Sequence, residues 1–216
     1  MQRIVEEEWL DKLPADDPRA ARSRRDLRII NVLMGNHRWV LRKVAAEEPA
    51  GASMVELGAG DGGLARKIAR ALPAARYRAV EQLVPVPGDL PSTVDWRRAD
   101  LREESLYEGT DLLLGCLILH QFEEPDLSRI GEIVMKSPLR RLLFTEPRRA
   151  ALHVWQLRAG RLLGFNEVTL HDGPASIRAG FRGGELPRLL GLQANHWSWW
   201  LGETVMGAYR MEAWRK

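Results

Sequence analysis

Cysteine is nearly absent. Cys116 is the only thiol in the chain, so no internal disulfide can form and a thiolate metal site has little to build on. No metal is expected, and Cys116 reads as a small buried apolar residue. Long apolar runs are also missing. The longest, 112–119 and 142–144, are far too short to span a bilayer. The opening run Met1-Gln2-Arg3-Ile4-Val5-Glu6-Glu7-Glu8 turns acidic where a secretion signal needs an apolar core, so no membrane and a cytoplasmic location are the expectations. No charge dominates either: 32 basic residues stand against 29 acidic ones, too close a balance to attract a polyanion. The cations are mostly arginines interspersed with acids, as in 22–28, which reads as solvated helix faces rather than a phosphate track. Internal repeats and low-complexity segments are absent.

What is present fits an ordinary globular chain. Hydrophobic residues make up 45% and charged residues 28% of 216, enough for one domain with its own core. Asp17 before Pro18 predicts a capped helix running to Gly35, and Asn36 can cap a second helix over 37–47, ended by Pro49 and Gly51. This pair, in residues 1–50, is expected to form an N-terminal helical lid on the domain of residues 51–216. From Ser53 short apolar runs alternate with helical ones, the pattern of βαβ units and a parallel sheet. Strands are expected at 53–57, 77–81, 94–98, 111–117 and 141–145, with helices at 64–72, 127–135 and 150–163. Pro85, Pro87, Pro91 and Gly88 make a full helix between the second and third strands improbable. A loop-rich stretch after Gly164, a helix at 185–190, and a hairpin of 193–200 and 203–211 turning at Leu201-Gly202 complete the reading. Alternation sets Trp197 and Trp199 on one hairpin face and Trp200 on the other, as core packing, an aromatic wall or a homodimer patch.

The chemistry concentrates in Val55-Glu56-Leu57-Gly58-Ala59-Gly60-Asp61-Gly62-Gly63, an apolar strand joined to a helix by a glycine turn. Bare glycines let a ligand approach the backbone, and the helix start offers free N–H groups. Gly58, Gly60 and Gly63 also satisfy G-x-G-x-x-G, so a nicotinamide dinucleotide is the rival ligand. Glu56 argues against it: a carboxylate there repels pyrophosphate but suits a cation such as an amine or sulfonium. Ligands in such sheets sit over the carboxyl ends of the strands. Glu81 and Gln82 end the second strand about 20 residues beyond the turn, where a carboxylate can accept ribose hydroxyls. Asp100 and Leu101 end the third strand, Cys116 and Leu117 the fourth.

The glycine turn with its acid resembles motif I of the class I, Rossmann-like, S-adenosylmethionine-dependent methyltransferases, and the likeness in element order covers nearly the whole chain after Ser53. The resemblance implies an α/β fold: a doubly wound, mostly parallel sheet with an antiparallel C-terminal hairpin. It implies S-adenosylmethionine on Glu56, Gly58, Ala59, Gly60, Gly62, Glu81 and Gln82, with Asp100 on the adenine amino group and the Leu101 N–H on a ring nitrogen. Leu83 or Val84 would pack on the adenine, and the Cys116-Leu117 backbone would lie beside the methionine portion. The segment Leu117-Ile118-Leu119-His120-Gln121-Phe122 resembles the L-H-H-F segment of the quinone-biosynthesis type, with Gln121 in place of the second histidine. His120 is thus a candidate base or acceptor ligand, or else a packing residue, and Glu146 at the end of the fifth strand is the second candidate.

Two further blocks, Asp26-Leu27-Arg28-Ile29-Ile30-Asn31 and His171-Asp172-Gly173-Pro174-Ala175-Ser176-Ile177-Arg178, resemble small-molecule methyltransferases linked to polyketide pathways. By that likeness His171, Asp172 and Arg178 line the acceptor pocket; the alternative is a loop bonded within itself that holds the last helix. No N/D-P-P-Y/F motif follows the fourth strand, which argues against nucleobase or protein amide acceptors. The expected activity is methyl transfer to oxygen or carbon of a small hydrophobic or aromatic metabolite. The rivals are an RNA or protein methyltransferase and a cofactor-binding regulatory protein without activity.

Overall fold

Alternation along the central strands divides the molecule into layers. A computed structural model describes residues 1–14, 16–48 and 51–216. In β1 (Ser53–Leu57), Val55 and Leu57 face one side of the sheet and Met54 the other. Leu113 opposes Leu112 and Leu114 in β4 (Leu112–Cys116), and Leu142 and Phe144 oppose Leu143 in β5 (Arg141–Pro147). A strand must place successive side chains on opposite faces, so these apolar runs need cover on both. On the first face lie α5 (Glu124–Lys136) and α8 (Glu185–Leu189); on the second lie α3 (Asn36–Glu47) and α4 (Gly63–Ala71).

With β2 (Arg76–Val80), β3 (Val94–Arg97), β6 (Trp197–Glu203) and β7 (Ala208–Arg215), the sheet has the order β3-β2-β1-β4-β5-β7-β6. The strands from β1 to β5 pair in parallel, and β7 runs antiparallel to both β5 and β6. The order reverses between β1 and β4, the switch point where such sheets leave a crevice. Above that point lie α1 (Trp9–Lys12), α2 (Pro18–Met34), α6 (Ala151–Ala159) and α7 (Glu167–Ala179). Covering the crevice thus falls to α2 and the N-terminal residues, whereas α3 is a flank of the sheet through buried Trp39, Val40 and Val44.

The expected cap of α2 is present, with Asp17 accepting from the Arg19 N–H at 2.7 Å. The crossover from β2 to β3 carries no helix, as its prolines require. Four expectations change. Gly35, in the left-handed region at φ 68°, both ends α2 and precedes α3, so Asn36 is helical and donates instead to Asn31 at 3.0 Å. The helix expected over 150–163 stops at Ala159 and continues as a 3-10 turn, with the Phe165 ring packed on Gly160. The stretch after Gly164 is not a loop but α7. Asn166 caps it by accepting from the Thr169 N–H at 3.0 Å, and Gly173 leaves room for Leu157 of α6. The hairpin turns at 204–207 rather than at Leu201-Gly202: Gly207 takes φ 83°, the Ala208 N–H donates to Thr204 Oγ1 at 2.9 Å, and Gly202 stays extended under the Trp200 ring. Trp197 is buried in the core and Trp200 half-exposed against Trp39, on opposite faces as alternation requires. Pro49, expected to end α3, lies outside the described residues.

Candidate functional site

The glycine turn after β1 is held by its own backbone and by the end of β2. The Ala59 N–H donates to the Val80 carbonyl at 3.0 Å. Glu81, one residue past β2, accepts from the Gly60 N–H at 2.9 Å on one oxygen, and from the Leu83 and Val84 N–H groups at 2.8 and 3.2 Å on the other. Gly58 and Gly60 both lie at positive φ, 66° and 56°, but serve different ends. A Cβ on Gly58 would sit 2.6 Å from the Ile118 side chain, whereas one on Gly60 would meet nothing within 4 Å. Gly58 therefore permits packing, and Gly60 opens space for a ligand.

That space is a cavity of about 510 Å³ over the switch point. Of the expected cofactor residues, Glu56, Gly58, Ala59, Gly60, Glu81, Gln82, Leu101, Cys116 and Leu117 line it, as do Leu83 and Val84. Leu117 has φ 57°, a conformation that a leucine adopts only under constraint; its N–H is bonded to the Thr145 carbonyl at 2.8 Å. Glu56 is 2% exposed, and the Tyr77 hydroxyl donates to it at 2.8 Å. Burial pushes the Glu56 carboxyl up to about 8, with Asp61 and Glu81 adding to the shift and the Tyr77 bond opposing it. Burial also raises the Cys116 thiol, in keeping with a packing role.

His120, in a 3-10 turn just past β4, also lines the cavity. Glu146, at the end of β5 and fully buried, lies behind it. Its carboxylate accepts from the Ile118, Leu119 and His120 N–H groups at 3.2, 2.9 and 3.3 Å, and from His120 Nδ1 at 2.8 Å. Glu8 approaches the other ring nitrogen, Nε2, to 3.7 Å, an ion pair longer than a hydrogen bond. Burial opposes a charged ring, but the two carboxylates outweigh it and raise His120 to about 9.

Glu8 arrives on an N-terminal strap docked along α7. The Asp172 carboxylate accepts from the Trp9 and Leu10 N–H groups, both at 2.9 Å. The His171 ring stacks on Trp9 with centroids 3.5 Å apart, Ser176 donates to Glu8, and Arg178 pairs with Glu6. Arg3 closes the strap over the site by donating to the Ala179, His120 and Phe122 carbonyls at 2.9, 3.2 and 2.6 Å. The other block works with it. Asp26 accepts from the Asn166 N–H at 2.8 Å and the Thr169 hydroxyl at 3.1 Å, tying α2 to α7, while Arg28 pairs with Asp61 of the glycine turn at 2.8 Å.

Five expected residues fall elsewhere, His171, Asp172, Arg178, Asp100 and Gly62. His171, Asp172 and Arg178 lie outside the cavity and hold the strap, the His171 ring against Trp9, whereas Gly173, Ser176 and Ile177 of the same block line the cavity. Asp100 is also outside: Arg102 bonds it through backbone and side chain and holds its carboxyl down at about 2. Gly62 faces away from the cavity, toward Pro87 and Leu90 of the proline-rich crossover. Conversely, Glu8 and Asp11 line the cavity without having been singled out, and Arg28 of the block 26–31 lines it too. Asp11 is an exposed residue that lines this space, and burial, then Glu8 and Asp172, push its carboxyl up to about 6. No local signal marks Glu8 within its run of acids, since its partners lie more than a hundred residues away.

No family model and no curated protein matches the sequence. Solved structures do match the fold. The pyocyanin biosynthetic protein PhzM aligns over 97% of this chain with a TM-score of 0.67 at 20% identity. The plantazolicin methyltransferase BpumL, in complex with S-adenosylhomocysteine, aligns over 96% at 0.71 and 12% identity. Human N-acetylserotonin methyltransferase, in complex with S-adenosylmethionine, aligns over 94% at 0.61 and 18% identity. The chain spans 94% of BpumL but only 62% and 60% of the other two. The fold is that of the class I, Rossmann-like methyltransferases.

Proposed function

We propose that this chain binds S-adenosylmethionine in the cavity at the switch point and transfers its methyl group to a small apolar or aromatic acceptor. The observation that carries this reading is the pairing of Glu56 with Gly60. A buried carboxyl raised to about 8 is relieved by a cation, and the space beside Gly60 admits a ligand against bare backbone. Pyrophosphate offers that carboxyl no counter-charge, which disfavours a dinucleotide. The cofactor would supply a methyl group on a positively charged sulfur; binding, orientation and proton handling fall to the chain. Held in line, two reactants gain effective molarities of about 10⁵ M or more, so positioning is the larger part of the task. Apolar walls from Leu27, Ile30 and Met34 of α2 and from Leu157, Phe165 and Ile177 support a flat, apolar acceptor. The nearby His120–Glu146 pair supports an acceptor that loses a proton, at oxygen or an acidic carbon.

Calorimetric titration with S-adenosylhomocysteine, run beside NAD, tests the reading. Micromolar binding of the first alone is expected, and binding of neither, or of NAD, would overturn it. A cofactor-binding protein without transferase activity is the second reading, favoured by Asp100, which Arg102 keeps from the cavity. It predicts binding without turnover across a panel of phenolic and polyketide-like acceptors.

A further inference from the structure

His120 stands between two carboxylates, and they are not equivalent. Glu146 lies behind the ring, fully buried, and already accepts three backbone N–H groups. Glu8 lies in front and lines the cavity. Resting on the methyltransferase reading, we propose that Glu8 takes up the acceptor's proton, and that His120 is the positioning residue that holds it there.

The donor inventory supports this division. A carboxylate that accepts N–H groups on both oxygens has no proton to offer, so the 2.8 Å contact with Glu146 requires the proton on His120 Nδ1. The second carboxylate, 3.7 Å from Nε2, favours a proton there as well. An imidazolium has no free lone pair and cannot act as a base. Glu8 can. The Ser176 hydroxyl and the His120 ring both approach its Oε1, and among the described residues none donates to Oε2. Glu146, Glu8 and Asp11 are the acids within electrostatic reach of the ring.

The step balances. An electron pair on the acceptor's oxygen or carbon forms a bond to the sulfonium methyl carbon, and the carbon–sulfur bond breaks with its pair left on sulfur. The acceptor's proton passes to Glu8, so a positive sulfonium and a negative carboxylate both end neutral. Because Glu8 is fixed by Ser176 and by the docked strap, the base is present only when residues 3–10 lie along α7.

The test is NMR titration of the His120 ring, assigned by its loss in His120→Gln, with and without S-adenosylhomocysteine. At neutral pH both ring nitrogens are expected to be protonated. Glu8→Gln should lower the ring's pKa by about one unit or more while changing S-adenosylhomocysteine affinity less than about threefold. Glu6→Gln, which loosens the strap's Arg178 contact but keeps the Glu8 carboxylate, should leave the titration unmoved. A neutral ring with a bare Nε2 would make His120 itself the base and overturn the proposal. So would a ring that Glu8→Gln does not affect. The ring readout in ligand-free protein stands apart from cofactor binding, so failure to bind S-adenosylhomocysteine would count against the proposed function alone. With an acceptor in hand, Glu8→Gln should cost about 10²-fold in kcat for weakly acidic phenols and less for phenols already ionised.

Discussion

Glu56 shows how one side chain couples folding to ligand. Its carboxyl titrates near 4.5 when exposed and about 8 when folded, chiefly through burial. Between those values the native state holds a proton that the unfolded chain releases, so its stabilising contribution is complete below about 4.5 and lost as pH rises through about 8. Thermal unfolding across that range should therefore show Glu56→Gln losing less stability with rising pH than the wild type; parallel curves would refute the assignment. A cationic ligand demands the charged form, so affinity for S-adenosylmethionine should rise through the same window. Gly60→Val should abolish S-adenosylhomocysteine binding in calorimetry, because its side chain would fill the cavity and a β-branched residue resists φ 56°. Unchanged affinity would disconnect the glycine turn from the ligand. Such residues could be read in the sequence because an acid, a strand end and a glycine turn are local signals. Glu8 could not: three glutamates in a row are equivalent until Ser176 and His120 choose one.

At the scale of elements, α7 is the instructive case. Gly173-Pro174 looks like a break, yet the helix continues, because Asn166 caps its start and Leu157 packs where a Cβ on residue 173 would stand. The helix then presents His171, Asp172, Ser176 and Arg178 to the strap, so that the three residues expected to line the acceptor pocket, His171, Asp172 and Arg178, form a docking track instead. Asp172→Ala should free α1, since its carboxylate accepts both the Trp9 and Leu10 N–H groups. A hydrogen bond to a charged group contributes about 1.5–3 kcal/mol. Hydrogen exchange of the amides of residues 3–12 should therefore rise by at least about tenfold while the sheet amides stay protected. Unchanged exchange would mean that the strap is held by other contacts. The displaced hairpin turn has a simpler cause: Gly202 and Gly207 are both turn residues by type, and only Gly207 lies at a positive φ.

For the molecule as a whole, the sheet was legible from alternating strands and helices, since right-handed crossovers leave few orders open. The ties between distant segments were not. Arg141 of β5 pairs with Glu47 at 2.6 Å and Glu48 at 2.7 Å at the end of α3, and with Glu212 of β7. Three segments far apart in sequence thus meet on one guanidinium, which no local pattern could announce. Arg141→Ala would leave the buried Glu212 with Lys43 as its remaining partner, and Glu48 with no ion-pair partner among the described residues. Breaking such a buried cluster costs about 3–5 kcal/mol, to be read as a lower urea midpoint with an unchanged slope. An effect below about 1 kcal/mol would class it as a screened surface pair.

The strap has a consequence in time as well as in space. Arg3 bonds the Ala179 carbonyl, and Trp9 and Leu10 bond Asp172, so residues made before the parallel strands find their seats on a helix made after them. Until α7 emerges, the nascent chain can form its glycine turn and early strands, but Glu8 lacks the Ser176 hydroxyl and the Asp172 anchor that hold it. The order of synthesis therefore puts assembly of the glycine turn before docking of Glu8 beside His120.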